Sequence, residues 1–286
     1  MGKIKFPPLN LEEWITTRDT LHKYCKMVGA IREKMSAPQP HWWHISLRIG
    51  EDGITTLPLQ KSTEEKDRTF EVKIDPINSK LLIISSYSET MQIALTGQSL
   101  SALCDETCSL LSDIGINPPV EKPSFIDGKP GKLEVQHLMN YWTAIKNINN
   151  VFEKFKSKLK EETSPVQLWP HHFDLALSWF SGRIIPGKDP GNPEESQEQI
   201  TFGFSTGDEF IPGAYFYTTA YPTPGSISNL KLPDDAYWNV KGFSGVIMMY
   251  NSIVEAENGS NKLLEFLSTV HSSMGNNARI KPDALV

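Results

Sequence analysis

The sequence predicts an α+β protein made of two similar helix–antiparallel-sheet–helix halves. Three observations carry that expectation. Stretches with apolar residues at helical spacing are separated by short runs in which apolar and polar residues alternate. The run His41-Trp42-Trp43-His44-Ile45-Ser46-Leu47-Arg48 aligns without a gap on His171-His172-Phe173-Asp174-Leu175-Ala176-Leu177-Ser178. Trp14 and Trp142 precede those runs by 27 and 29 residues, each near the start of a helical stripe. An internal duplication accounts for all three, with the halves packed about a pseudo-twofold axis and helices on one face of each sheet.

Asn10 with Glu13 resembles a helix cap, and Trp14, Leu21, Cys25, Val28, Ile31 and Met35 continue the stripe. Pro38 and Pro40 end it. The first marked run reads as a strand, followed by a turn at 50–53 and a short strand over 55–59. The polar residues 61–67 read as a loop. Strands follow at 70–74, 81–85 and 91–95, then a helix capped by Ser99 and stopped by Gly115. Prolines and glycines mark 117–132 as a linker. The halves are therefore residues 1–116 and 133–286. In the second, a helical stripe from Tyr141 to Leu159 precedes the second marked strand. Phe180-Ser181-Gly182-Arg183 leads into a loop. Strands at 200–204, 215–221 and 246–250 and a helix stopped by Gly275 complete the chain.

Composition narrows the function. The chain has 286 residues, 39% of them hydrophobic, which suits a globule with a real core. A net charge of −6 gives no general basic face for phosphates, so no nucleic-acid partner is expected. No apolar run is long enough to span a bilayer and the first residues lack a signal-peptide core, so no membrane partner is expected. Three cysteines make no disulfide framework, which points to a soluble cytoplasmic protein. Phosphate-loop, dinucleotide-glycine, nucleophile-elbow and Cys-x-x-Cys motifs are absent, and the sequence names no cofactor.

Strand alternation supplies candidate site residues. Trp43, Ile45, Leu47, Phe173, Leu175 and Leu177 fall on core faces. His44 and Asp174 fall at equivalent positions on the polar faces, and a carboxylate that orients an imidazole makes a general base of it. They meet if the two strands meet near the axis. Trp42, Arg48, Arg183 and Tyr217 are the expected ligand contacts: aromatic rings for a flat or sugar-like group, guanidinium groups for an anion. A two-histidine, one-carboxylate metal set from His44, His172 and Asp174 is the weaker alternative, because His41 and His44 on a strand would point to opposite faces. His22 stands out within the first helix. Cys104 and Cys108 share a helical face and read as core.

Several segments together resemble one uncharacterised prokaryotic family, domain-of-unknown-function family five-nine-nine-six. They are Thr20-Leu21-His22, Val28-Gly29 with Ile31-Arg32, His41-Trp42-Trp43-His44, Arg68-Thr69-Phe70, Ser164-Pro165-Val166, Phe173-Asp174-Leu175-Ala176, Phe180-Ser181-Gly182-Arg183 and Ala220-Tyr221-Pro222. They span nearly the whole chain. The resemblance implies no activity.

The expectation is thus a small-molecule partner in an aromatic-lined cleft between the halves, serving either binding or acid–base catalysis. A non-catalytic ligand-binding protein or a protein-interaction module stays open, as does whether the chain is an enzyme.

Overall fold

A computed structural model describes residues 5–61, 65, 67–117, 120, 122–223 and 230–278. Met1 to Ile4, most of the polar run after Lys61, and the linker prolines Pro118 and Pro119 lie outside the described residues. In chain order the helices are α1 (Leu11–Met35), α2 (Leu100–Asp113), α3 (Val135–Lys156), the single turns α4 (Pro193–Ser196) and α5 (Asn251–Val254), and α6 (Gly259–Ala278). The strands are β1 (Arg48–Ile49), β2 (Ile54–Thr55), β3 (Leu59–Gln60), β4 (Thr69–Asp75), β5 (Lys80–Ser85), β6 (Met91–Ala94), β7 (Gln167–Trp169), β8 (Asp174–Ile184), β9 (Gln197–Ser205), β10 (Tyr215–Tyr221), β11 (Ala236–Asn239) and β12 (Gly245–Met249). Short 3-10 turns cover Pro40–Ile45 and Lys122–Phe125. The class is α+β, with antiparallel sheets.

The chain divides into two compact units with interleaved segments. The first comprises Asn10–Lys146 and Gln167–Phe173; the second comprises Met1–Leu9, Asn147–Val166 and Asp174–Val286.

In the first unit the sheet runs β1–β2–β4–β5–β6, with β3 also pairing β4. Phe70, Val72, Ile74, Leu81 and Ile83 are buried, as is the α1 stripe Trp14, Leu21, Cys25 and Val28. Ser99 caps α2 as expected, its hydroxyl accepting from the Ala102 N–H at 3.2 Å. Leu47 and Leu168 form an antiparallel bridge through both backbone hydrogen bonds, 2.8 and 2.9 Å.

In the second unit five strands run β11–β12–β10–β9–β8. One face carries Leu175, Leu177, Ile200, Phe202, Phe204, Phe216 and Val246, all buried. It packs on helices: Phe155 of α3 meets Phe202 edge-on at 5.0 Å, and Phe266 of α6 lies 6.4 Å from Phe216. The opposite face carries Asp174, Ala176, Gly203, Ser205, Tyr215 and Tyr217, by strand alternation.

Several sequence expectations need correction. Pro40–Ile45 is a 3-10 turn, not a strand, and His41 and Trp42 have φ of 54° and 58°. Two left-handed residues destroy the period-2 alternation, so the faces invert: His44 and Ser46 are buried, while Trp43 and Ile45 are only half-buried. Leu47, Phe173, Leu175 and Leu177 are buried as expected. His171 and His172 lie exposed in a turn, and Phe173, at φ 59°, precedes the strand. The two marked runs therefore differ in backbone. The strand orders of the two sheets differ as well, and a residue-for-residue duplication is not shown. Phe180-Ser181-Gly182-Arg183 lies within β8 at a register shift rather than leaving the sheet. Leu57, at φ 59°, separates β2 from β3 where one strand was expected. Gly275 does not stop α6, which continues to Ala278.

Candidate functional site

The most built arrangement of polar groups lies on the second unit's non-helical sheet face. Registers place one row of residues straight across it: Tyr237 opposite Ile247, Ile247 opposite Tyr217, Tyr217 opposite Gly203, and Gly203 opposite Ala176. Gly203 is the reason the row works. A Cβ there would stand well under 3.0 Å from Cζ, Cε1 and Oη of Tyr217. With no side chain on β9 at that point, the Tyr217 ring lies over the backbone and reaches β8, where its hydroxyl donates to Oδ2 of Asp174. Asp174 is 9% exposed. Burial pushes the Tyr217 phenol well above its ordinary value, and the charges of Asp174 and then Tyr215 add to the shift. Tyr217 is therefore a fixed neutral donor, not a base.

A second pair stands beside it. Tyr215 donates to Oδ2 of Asp208 at 2.5 Å, while Oδ1 of Asp208 accepts the backbone N–H groups of Phe210 and Ile211 at 2.8 and 2.9 Å. Burial first, then Asp208, raises the Tyr215 phenol far above its usual range. Phe243 completes an aromatic wall, its centroid 6.4 Å from Tyr215 and 6.0 Å from Tyr217. Asn239 holds the loop that carries Phe243, donating through Nδ2 to the Lys241 and Phe243 carbonyls at 2.8 Å each. Gly242 in that loop, at φ 76°, leaves room for the Phe210 ring, which a Cβ would meet at 2.7 Å. A cavity of about 420 Å³ opens there, lined by Phe210, Ile211, Tyr237, Val240, Lys241 and Met249 among others. Ile211 and Met249 of its lining pack in the same cluster as Tyr215 and Tyr217, so the tyrosine–aspartate pairs stand behind the cavity wall rather than in its lining.

Of the sequence-predicted residues, Asp174 and Tyr217 are brought together here. His44 belongs to the first unit, where its Nδ1 accepts the Gln39 N–H at 3.2 Å and its ring stacks on Trp42 at 5.7 Å. That bond puts the proton on Nε2 and occupies the lone pair a general base needs. Trp42 is 58% exposed. Arg48 donates to Ser46 Oγ at 2.6 Å and to the Leu47 carbonyl at 3.2 Å, and Ser46 Oγ donates in turn to Gln167 Oε1. Arg183 grips Glu198 bidentately, Nε and Nη2 each at 2.8 Å, which makes it the ordinary β8–β9 cross-strand pair rather than a ligand contact. Among the described residues no group of three or more histidine, cysteine or acidic side chains could hold a metal, so the His44, His172 and Asp174 set is withdrawn. No helix among the described residues is long and apolar enough to cross a membrane.

The model of the Family of unknown function (DUF5996) matches residues 6–285. The chain belongs to this family. No curated protein and no solved structure matches it.

This DUF5996 chain holds features that sequence reasoning missed. Gly203, Asp208 and Phe243 gave no signal of their own, although a glycine amid Ile200, Phe202 and Phe204 in a strand is the usual sign of a close approach. In the first unit Trp14, Tyr141, Phe173 and His22 form a near-parallel column, with successive centroids 5.3, 5.1 and 5.1 Å apart. His22 Nε2 sits 3.0 Å from both the Pro170 and His171 carbonyls and so donates to them. Its family-matching position thus has a structural use: it closes the turn before Phe173.

Proposed function

We propose that the protein binds a small molecule on the second unit's open sheet face, in the cavity beside Phe243, with the Tyr217–Asp174 pair as its polar centre. The observation that carries this reading is the row from Tyr237 to Tyr217 and on to Asp174. Its Tyr237 end lines the cavity, and its other end is a pre-set hydrogen-bonding pair whose tyrosine ring lies over Gly203. The cavity's volume falls in the range of small-molecule sites, and its lining mixes aromatic and aliphatic side chains with Asn239 and Lys241. Tyrosine rings suit a flat or sugar-like ligand. Both phenols are held protonated, so the pair acts as a donor and not as a general base.

A thermal-shift screen of wild type against Tyr237→Ala and Tyr217→Phe tests it. A ligand whose stabilisation falls at least tenfold in apparent affinity in Tyr237→Ala supports the site. Ligands that bind both variants as they bind wild type refute it.

The second reading is a protein partner. Phe210, Tyr237 and Val240 are 56%, 46% and 72% exposed around the cavity mouth, and such a patch is also how docking surfaces look. A partner would require those three side chains together and would not respond to Tyr217→Phe.

A further inference from the structure

The α1 core stripe ends on a charge. Leu21, Cys25 and Val28 are fully buried, and continuing their spacing by four residues gives Arg32 in the helix's last turn. Arg32 is 8% exposed, and its Nε is buried with no hydrogen-bond partner. Among the described residues no ion pair or hydrogen bond reaches this guanidinium. The other described arginines are all engaged: Arg18 with Asp19, Arg48 with Ser46, Arg68 with Glu65 and Arg183 with Glu198. Burial alone depresses the Arg32 pKa, with no carboxylate acting on it.

Such a group is costly. A guanidinium stays charged, so it cannot relieve burial by losing its proton; only Nε is buried without a partner, so the terminal nitrogens keep a path to solvent by which an oxyanion can approach. The carbonyl end of α1 is the favourable end for a cation, but a helix terminus offsets only a small part of that cost. The surroundings are otherwise tightly set. At Gly29, one turn earlier, a Cβ would overlap the Pro170 ring and lie 3.7 Å from the Ile45 carbonyl oxygen. The 3-10 turn, β3 and β4 all pack against α1. A planar fork of N–H donors in such a place is the arrangement that takes an oxyanion bidentately.

We infer that Arg32 anchors an oxyanion-binding site in the first unit, and that a ligand bearing a carboxylate or a phosphate supplies the partner its guanidinium lacks. The site is separate from the one on the second unit's sheet and does not rest on that reading.

The test compares melting temperatures of the full chain in sodium phosphate, sodium acetate and sodium chloride at matched ionic strength, for wild type and for Arg32→Met. Wild type should melt about 3 °C higher in one of the two oxyanions at roughly tenfold excess over its Kd. The acetate and phosphate arms tell which oxyanion it is. Arg32→Met should melt no lower than wild type in chloride and should lose the oxyanion response, since it removes the unpaired charge and keeps an unbranched apolar stem as far as the Nε position. Equal melting of wild type in all three salts overturns the inference, as does an oxyanion shift that survives Arg32→Met. Should that variant fail to fold, Arg32→Lys decides: it keeps the charge without the fork, and its shift should fall by at least half. An undiminished shift in Arg32→Lys overturns the inference.

Discussion

Gly203→Ala isolates the contact on which the second unit's polar face depends. Gly203 has no left-handed φ, so alanine meets no backbone strain there, and the whole cost is steric. The added methyl would stand well under 3.0 Å from the Tyr217 ring and hydroxyl. Ordinary carbon contacts begin near 3.5 Å, so the ring must lift by roughly 1 Å or more. That movement pulls the hydroxyl off Asp174. A hydrogen bond to a charged group contributes about 1.5–3 kcal/mol, and Gly→Ala recovers about 0.4–1 kcal/mol by restricting the unfolded chain. The net loss should be about 0.5–2.6 kcal/mol, read from urea unfolding. The decisive comparison is the same substitution in a Tyr217→Ala background, where nothing stands above residue 203. There alanine should be neutral or mildly stabilising, giving a coupling energy of about 1.5–3 kcal/mol between the two positions. If Gly203→Ala costs the same in both backgrounds, Tyr217 is not what the glycine makes room for, and the proposed polar centre loses its support.

Leu175→Ala, at a fully buried position on the helical face of β8, should cost about 2–5 kcal/mol in the same assay, and a loss under half a kcal/mol would mean the face is wrongly identified. Arg183→Ala should cost no more than about 1 kcal/mol, because the arginine end of its pair with Glu198 is exposed and Glu198 keeps the Ser181 hydroxyl as a donor, and should leave any ligand response intact. His22 and His271 are both held below the ordinary histidine value by burial, with Lys26 and Arg18 adding to the shift at His22 and Glu161 opposing it at His271. Each therefore leaves stability unaffected above about pH 6.5. Below it the unfolded chain takes up protons that the native state refuses, so stability falls until the native pKa is passed. His271 Nε2 is buried without a partner beside Trp179 at 4.9 Å, so His271→Phe should flatten part of that acid loss, measured as melting temperature between pH 5 and 7; an unchanged slope would count against it.

What was legible in the sequence follows from where local pattern is also global structure. The α1 stripe, the Ser99 cap and the β4, β5 and β10 strands stand where periodicity and turn residues put them, since in each the side chains' alternation is the burial pattern itself. The run His41 to Leu47 misled for a physical reason. Its alternation of apolar and polar residues belongs to no strand, because Pro40 opens a 3-10 turn and two left-handed residues follow. From that one misreading came the paired role for His44. Asp174 and Tyr217 were both chosen from their own strands' polar faces, and there the alternation held. Their meeting was not legible, because it depends on the β9 register that sets Gly203 between them. Arg32 gives no such signal, because a charge interrupts the apolar pattern even where its position continues the stripe.

Whether the Tyr217–Asp174 pair binds or reacts turns on where Tyr217's proton sits, and this can be read from pH. Three influences act on the phenol, and all point the same way: burial, the Asp174 carboxylate and the neighbouring Tyr215 each oppose the phenolate. The hydroxyl is thus protonated across the whole range in which the fold can be studied, donating to Asp174 and offering a ligand only its oxygen lone pairs. Affinity for any ligand of this site should then be flat from about pH 7 to 9, within a factor of two, as nothing in the pair changes charge there. The measurement is a binding titration at several pH values, run beside Tyr217→Phe, which keeps the ring but removes the oxygen. An affinity or turnover that rises steeply with pH in wild type and not in Tyr217→Phe would require a phenolate. That outcome would overturn the binding reading in favour of a tyrosine base, because burial, Asp174 and Tyr215 together leave no route to one near neutrality.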